Sequence, residues 1–114
     1  MSQTAMNASA FFEMKELMGD SLNEIITLCL QSLPEQLSAI EDAIDKNNAE
    51  SLFNVSHKMK SASGSIGAFG LAEKAETLEL IGRDGSTQVP SQAIDELRDA
   101  TEQVIIFLNT EINS

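Results

Sequence analysis

Apolar residues recur at helical spacing along nearly the whole chain, and no segment shows sustained alternation of apolar and polar positions. In "ASAFFEMKELMG", Phe11, Met14, Leu17 and Met18 share a face and Gly19 supplies a stop, which predicts a short helix. Residues 1–8 ahead of it are small and polar and read as a flexible N-terminus. A second helix starts at "DSLNEII", where Asp20 or Ser21 can cap it and Ser21 with Glu24 has capping-box spacing. Its apolar positions 22, 25, 26, 29, 30, 33, 37, 40 and 44 keep their period through Pro34. That predicts one long helix kinked at the proline, with a break into two helices as the alternative.

"DKNNAE" reads as a turn, with Asn47 or Asn48 as the next N-cap. The third helix should end near Gly67, and "GLAEKAETLELIG" forms a fourth, with Leu71, Ala75, Leu78 and Ile81 or its neighbours facing inward. "RDGSTQVPSQ" is the one clear loop. The fifth helix follows it, with Ile94, Leu97, Thr101, Val104, Ile105 and Leu108 as its stripe. The expected fold is all-α: an antiparallel four-helix bundle with a short additional N-terminal helix, one domain over residues 9–113.

Composition narrows the class. At 114 residues the chain suffices for one core. With five Phe and neither Trp nor Tyr, that core must rest on Leu, Ile, Ala and Met, which suits helix packing. A net charge of −11, from 18 acids against 7 Lys and Arg, argues against nucleic acid and against an anionic membrane surface. No apolar run approaches the roughly 20 residues that span a bilayer. The first residues carry no basic, apolar leader pattern, so a cytoplasmic location is expected. The start methionine and complete bundle favour a free-standing protein, with a module excised from a longer one as the alternative. One His and one Cys make no soft-ligand metal set, and Cys29, lying in an apolar stripe, reads as core.

The single histidine lies in "VSHKMKSASGSIGAFG". On a helical wheel with His57 at zero, Leu52, Val55, Met59, Ala62 and Ile66 point at about 180°. That stripe turns His57 outward. Lys60 falls about 60° to one side, Ser61 about 40° to the other, and Gly64 two turns along at about −20°. A glycine there costs a helix about 1 kcal/mol relative to alanine, which makes sense if another molecule approaches the backbone beside His57. Close packing of a neighbouring helix is the alternative. No Asp or Glu occurs from Ser51 to Ala72, as expected if the group at His57 becomes anionic and must avoid carboxylates.

"SHKMKSASGSIGAFGLAEKAETLE" resembles the signature of the histidine phosphotransfer (HPt) domain family, the relay module of multistep phosphorelays. The matching residues are His57, Lys60, Ser61, Gly64, Gly67 with Ala68, and Leu71 with Leu78. Many members have Gly where Ser61 stands, so how closely a partner approaches there is open. The resemblance implies that Nε2 of His57 accepts a phosphoryl group from an aspartyl phosphate and passes it to another aspartate. Both aspartates would belong to receiver domains, of a hybrid sensor histidine kinase and of a response regulator. It further implies that Lys60 steadies the phosphoryl group, that Ser61 and Gly64 admit the receiver, and that Mg²⁺ comes with the receiver. No cofactor is expected on this chain. It has no nucleotide fingerprint, so it should not phosphorylate itself from ATP.

Phe53 and Asn54 beside His57, with Phe11, Phe12, Met14, Met18 and Ala68, are candidates for docking a partner, although a Phe and Met stripe at this spacing also serves as core. Ser61 or Ser65 with His57 could suggest hydrolysis, but no oxyanion site or buried orienting acid is evident. The rival reading is an acidic helical-bundle adaptor that binds a partner without phosphotransfer. The expected state is a monomer.

Overall fold

The structure is a computed structural model that describes residues 4–112. It contains α1 (Ala8–Met18), α2 (Ser21–Asp45), α3 (Ala49–Ser65), α4 (Phe69–Arg83) and α5 (Ser91–Ile112), with no strand among the described residues. Short connections return α3, α4 and α5 each beside its predecessor, and α5 packs back on α2 to close the ring. The result is a rod of 41 × 29 × 19 Å with α1 across one end.

Local chemistry explains the boundaries. Asn7 caps α1 by accepting from the Ala10 amide at 3.0 Å, and Gly19 ends it at φ 57°. Asn48, rather than Asn47, caps α3 by accepting from the Ser51 amide at 3.0 Å. At the start of α2, Asp20 has helical backbone angles and makes no side-chain capping bond, so the expected capping box is not formed. α2 runs unbroken for 25 residues with Pro34 inside it, on an exposed position; the two-helix alternative falls.

Leu22, Ile26, Leu33 and Ile40 of α2 meet Leu52 and Met59 of α3, Leu71, Ala75 and Leu78 of α4, and Leu97, Val104 and Leu108 of α5 in one buried core. Each such leucine, taken from water, contributes about 1.5–3 kcal/mol. Phe11, expected as a docking residue, is instead core. It is fully buried, edge-on to Phe107 at 5.1 Å. Ala68, another expected docking residue, is also fully buried, at the α3–α4 corner. Leu17 departs the other way: it belongs to the predicted apolar face of α1 but is 88% exposed. Cys29 is buried, and burial raises its thiol pKa, as suits a packed cysteine.

Residues 4–7 are not a frayed end. Ala5 is buried and its carbonyl accepts from Leu71, while the Asn7 amide donates to Gly67 at 2.9 Å. Residues 1–3 and 113, to which the sequence expectations also extend, lie outside the described residues.

α3 and α4 form the most intimate pair of helices, and small residues permit it. A Cβ on Gly82 would stand 2.6 Å from the Phe53 amide nitrogen and 2.9 Å from the Ala49 carbonyl oxygen. Gly82→Ala is therefore expected to lower stability by about 1–3 kcal/mol through overpacking, against an intrinsic helix gain of about 1 kcal/mol. Urea unfolding should show an earlier midpoint at unchanged slope. A midpoint at or above the native one would mean that the two helices separate freely here.

Candidate functional site

The buried residues of α3 are Leu52, Ser56, Met59 and Ser63. The two serines were not expected in the core, and they move its direction on the wheel from about 180° to about 230° from His57. His57 still points outward, with its side chain 58% exposed. Lys60 now lies only about 70° from the buried direction, on the flank that meets α4, and is 31% exposed. Ser61 and Gly64 lie exposed on the outer face. A Cβ on Gly64 would meet nothing within 4 Å, so no neighbouring helix requires that glycine.

The chief correction comes from α4. Glu79 belongs to its inward side with Ala75 and Gly82, and its side chain is only 7% exposed. One carboxylate oxygen bonds His57 Nδ1, and the other accepts from Lys60 Nζ at 2.6 Å. Glu76 stands 3.8 Å from the same ammonium. The acid-free run along α3 thus does not make an acid-free site, and a buried orienting acid is present. Its signal was in the sequence: a glutamate next to Leu78, four residues after Ala75, in the inward stripe of α4. A carboxylate there needs a partner across the helix interface.

The electrostatics follow from that geometry. Burial pushes the Glu79 carboxyl up, but hydrogen bonds from Lys60 and His57, with the charge of Lys60, outweigh it and hold the group below the ordinary carboxylate value. The bond to Glu79 raises Lys60 in turn. A carboxylate only accepts, so the imidazole proton facing Glu79 is on Nδ1. In the neutral form of the ring Nε2 then carries the lone pair.

Around this cluster, the Phe53 ring stacks beside the imidazole with centroids 6.1 Å apart and planes 20° apart. Asn54 is exposed one turn before His57. Of the other docking candidates, Phe12 keeps 44% of its surface, whereas Met14 and Met18 lie half-buried against the core. Lys15, Lys46, Lys60, Lys74 and Arg98 stand in ion pairs. The two remaining cations, Lys58 and Arg83, form no ion pair among the described residues. Lys58 follows His57 directly, and Arg83 lies one turn beyond Glu79, where its charge acts on Lys60. Among the described residues no three His, Cys, Asp or Glu are grouped to hold a metal, and no helix is long and apolar enough to cross a membrane.

The model of the Hpt domain family matches residues 24–105, a span that contains His57, Lys60, Ser61, Gly64 and Glu79. The chain belongs to the Hpt domain family. Its function is accordingly histidine phosphotransfer in a phosphorelay, as an intermediate carrier rather than a kinase. The partners of Hpt domains are receiver domains of hybrid kinases and response regulators. Two solved structures share the fold. Histidine-containing phosphotransfer protein B (HptB) from Pseudomonas aeruginosa PAO1 is 22% identical, with a TM-score of 0.88 over 98% of this chain and 97% of that one. The HPT domain of a sensor hybrid histidine kinase from Shewanella is 19% identical, with a TM-score of 0.79 over 96% and 95%. A search of the curated proteins finds no match. Nothing in these comparisons favours the adaptor reading.

Proposed function

We propose that Nε2 of His57 is the atom that takes the phosphoryl group from a receiver aspartyl phosphate and yields it to the aspartate of a second receiver. One observation carries this reading: the only histidine of the chain stands out from the bundle, its side chain 58% exposed, with Nδ1 bonded to Glu79. Phosphoryl transfer needs an in-line nucleophile and neutralisation of charge more than it needs proton chemistry, and a rigid helix supplies the first.

Lys60, one turn from His57, steadies the phosphoryl group, and the exposed Ser61 and Gly64 leave room for the receiver. Lys58 and Arg83 add positive charge where the incoming group is a dianion, on a chain whose net charge is otherwise −11. Phe53 and Asn54, with the exposed ring of Phe12, offer docking contacts. Mg²⁺ is held by the receiver and not by this chain, and the protein works as a cytoplasmic monomer without kinase activity of its own.

Incubation with a phosphorylated receiver and Mg²⁺ should place an acid-labile, alkali-stable label on this chain. No label across several receivers would favour the adaptor. Lys60→Ala is expected to slow transfer about a hundredfold, the lower end of what losing one donor to developing charge costs, or to shorten the life of the phosphohistidine. Rates and lifetime both at native values would remove the lysine from this role.

A further inference from the structure

A buried acid that bonds the nucleophile and its neighbouring cation at once has more to do than join two helices. We infer that Glu79 is a positioning residue for the transfer: it keeps the His57 proton on Nδ1, supplies the counter-charge for the phosphorylated ring, and gives up Lys60 to the phosphoryl group. The inference deepens the assignment of His57 as acceptor and rests on it.

The first part is a matter of tautomers. An imidazole with its proton on Nε2 has no lone pair there and cannot attack from that atom. In the other tautomer Nε2 is the nucleophile, and a carboxylate that can only accept selects that tautomer by binding Nδ1–H. The bond also fixes the ring plane, as does Phe53 stacked beside it.

The second part follows from charge balance. As the Nε2–P bond forms, the P–O bond to the receiver carboxylate breaks and its electron pair leaves with that carboxylate. Nδ1 keeps its proton, so no base is required, and the ring takes up one positive charge. Glu79 already faces that proton, so the charge develops beside a fixed anion in a largely buried position. The return step reverses the same bonds, and the ring leaves phosphorus as the neutral Nδ1–H imidazole; there the counter-charge favours the loaded form, so it speeds loading and steadies the phosphohistidine.

The third part concerns Lys60. At rest its ammonium is held by Glu79 at 2.6 Å, with Glu76 more loosely placed at 3.8 Å. Once the ring is cationic, Glu79 is satisfied from that side, and a phosphoryl dianion is the stronger attractor for the ammonium. The cluster thus exchanges partners without moving a proton.

Glutamine separates these roles from a structural one, because Glu79→Gln keeps an oxygen that accepts from Nδ1–H but removes the charge. ¹⁵N NMR of the unphosphorylated full chain should show the His57 proton on Nδ1 in the native protein and in Glu79→Gln. Glu79→Ala should lose that preference. In single-turnover transfer, Glu79→Gln should lower the rate constant for loading at saturating receiver about tenfold without slowing unloading, leaving the half-saturating receiver concentration unchanged. Glu79→Ala should be slower still; if it fails to fold, the glutamine variant decides alone. A native ring protonated on Nε2, or a glutamine variant with native rate constants, overturns the inference. His57→Gln run in parallel tells the two assignments apart. If it still takes label, the acceptor assignment fails and this inference with it. If it takes none while Glu79→Gln matches the native protein, only the role of Glu79 is lost.

Discussion

His57→Gln is expected to take no label from a phosphorylated receiver while its helical circular dichroism and urea midpoint stay close to native. The loss should be complete because no second imidazole exists to substitute. The fold should survive because the ring lies outside the core, 58% exposed and about 130° from the buried direction of α3. Exposed substitutions of this kind usually change stability by about 0.5 kcal/mol or less, and the glutamine amide still offers a donor to Glu79, so the acid is not stranded. The serines on the outer face, Ser61 above all, are the alternative acceptors, and their phosphate esters survive acid where phosphohistidine does not. Residual acid-stable label in the variant would move the site to a hydroxyl. A large fall in the midpoint would show instead that His57 holds α3 to α4, and would call for Glu79→Gln as the control.

What the sequence made legible was local to each helix, and what it hid lay between helices. The outward direction of His57 followed from Leu52, Met59 and Ile66, because one helix's apolar period fixes which way its other residues point. The position of Lys60 did not follow so well. Ser56 and Ser63 are small enough for the close α3–α4 contact and are fully buried there, yet neither counts as apolar in a sequence pattern. Adding them turns the helix by about 50° on the wheel and brings Lys60 onto the flank of α4. Glu79 was hidden for the same reason: the acid-free window from Ser51 to Ala72 measures separation along the chain, whereas Glu79 reaches His57 across 22 residues through helix packing. Phe11 and Leu17 show the limit of periodicity at a bundle end. Both sit on the predicted face of α1, but α1 caps the rod rather than lying along it, so Phe11 enters the core and Leu17 is left in water.

Gly64 yields the other large effect, in which stability and function should move in opposite directions. Its Cβ position is open, with nothing of this chain within 4 Å, and the residue is exposed near the end of α3. Gly64→Ala should therefore raise stability, by up to about 1 kcal/mol and towards the low end of that range so near the helix terminus. Gly64→Gln should be at least as stable as the native protein for the same reason. Its side chain, however, would stand two turns from His57 on the same outer face, where the receiver must come down for Nε2 to reach phosphorus in line. Displacing two reacting atoms by about 1 Å costs on the order of a hundredfold, so transfer to Gly64→Gln should fall by about that factor or more, with Gly64→Ala between it and native. Native transfer rates in the glutamine variant would mean that the receiver docks from the Phe53 side and leaves Gly64 uncovered. A drop in its stability would mean that the backbone there is not the plain exposed helix from which the whole outer face is read. The opposed signs make the experiment decisive: a residue kept for packing inside the chain loses both properties when it is enlarged, and one kept for access loses only transfer.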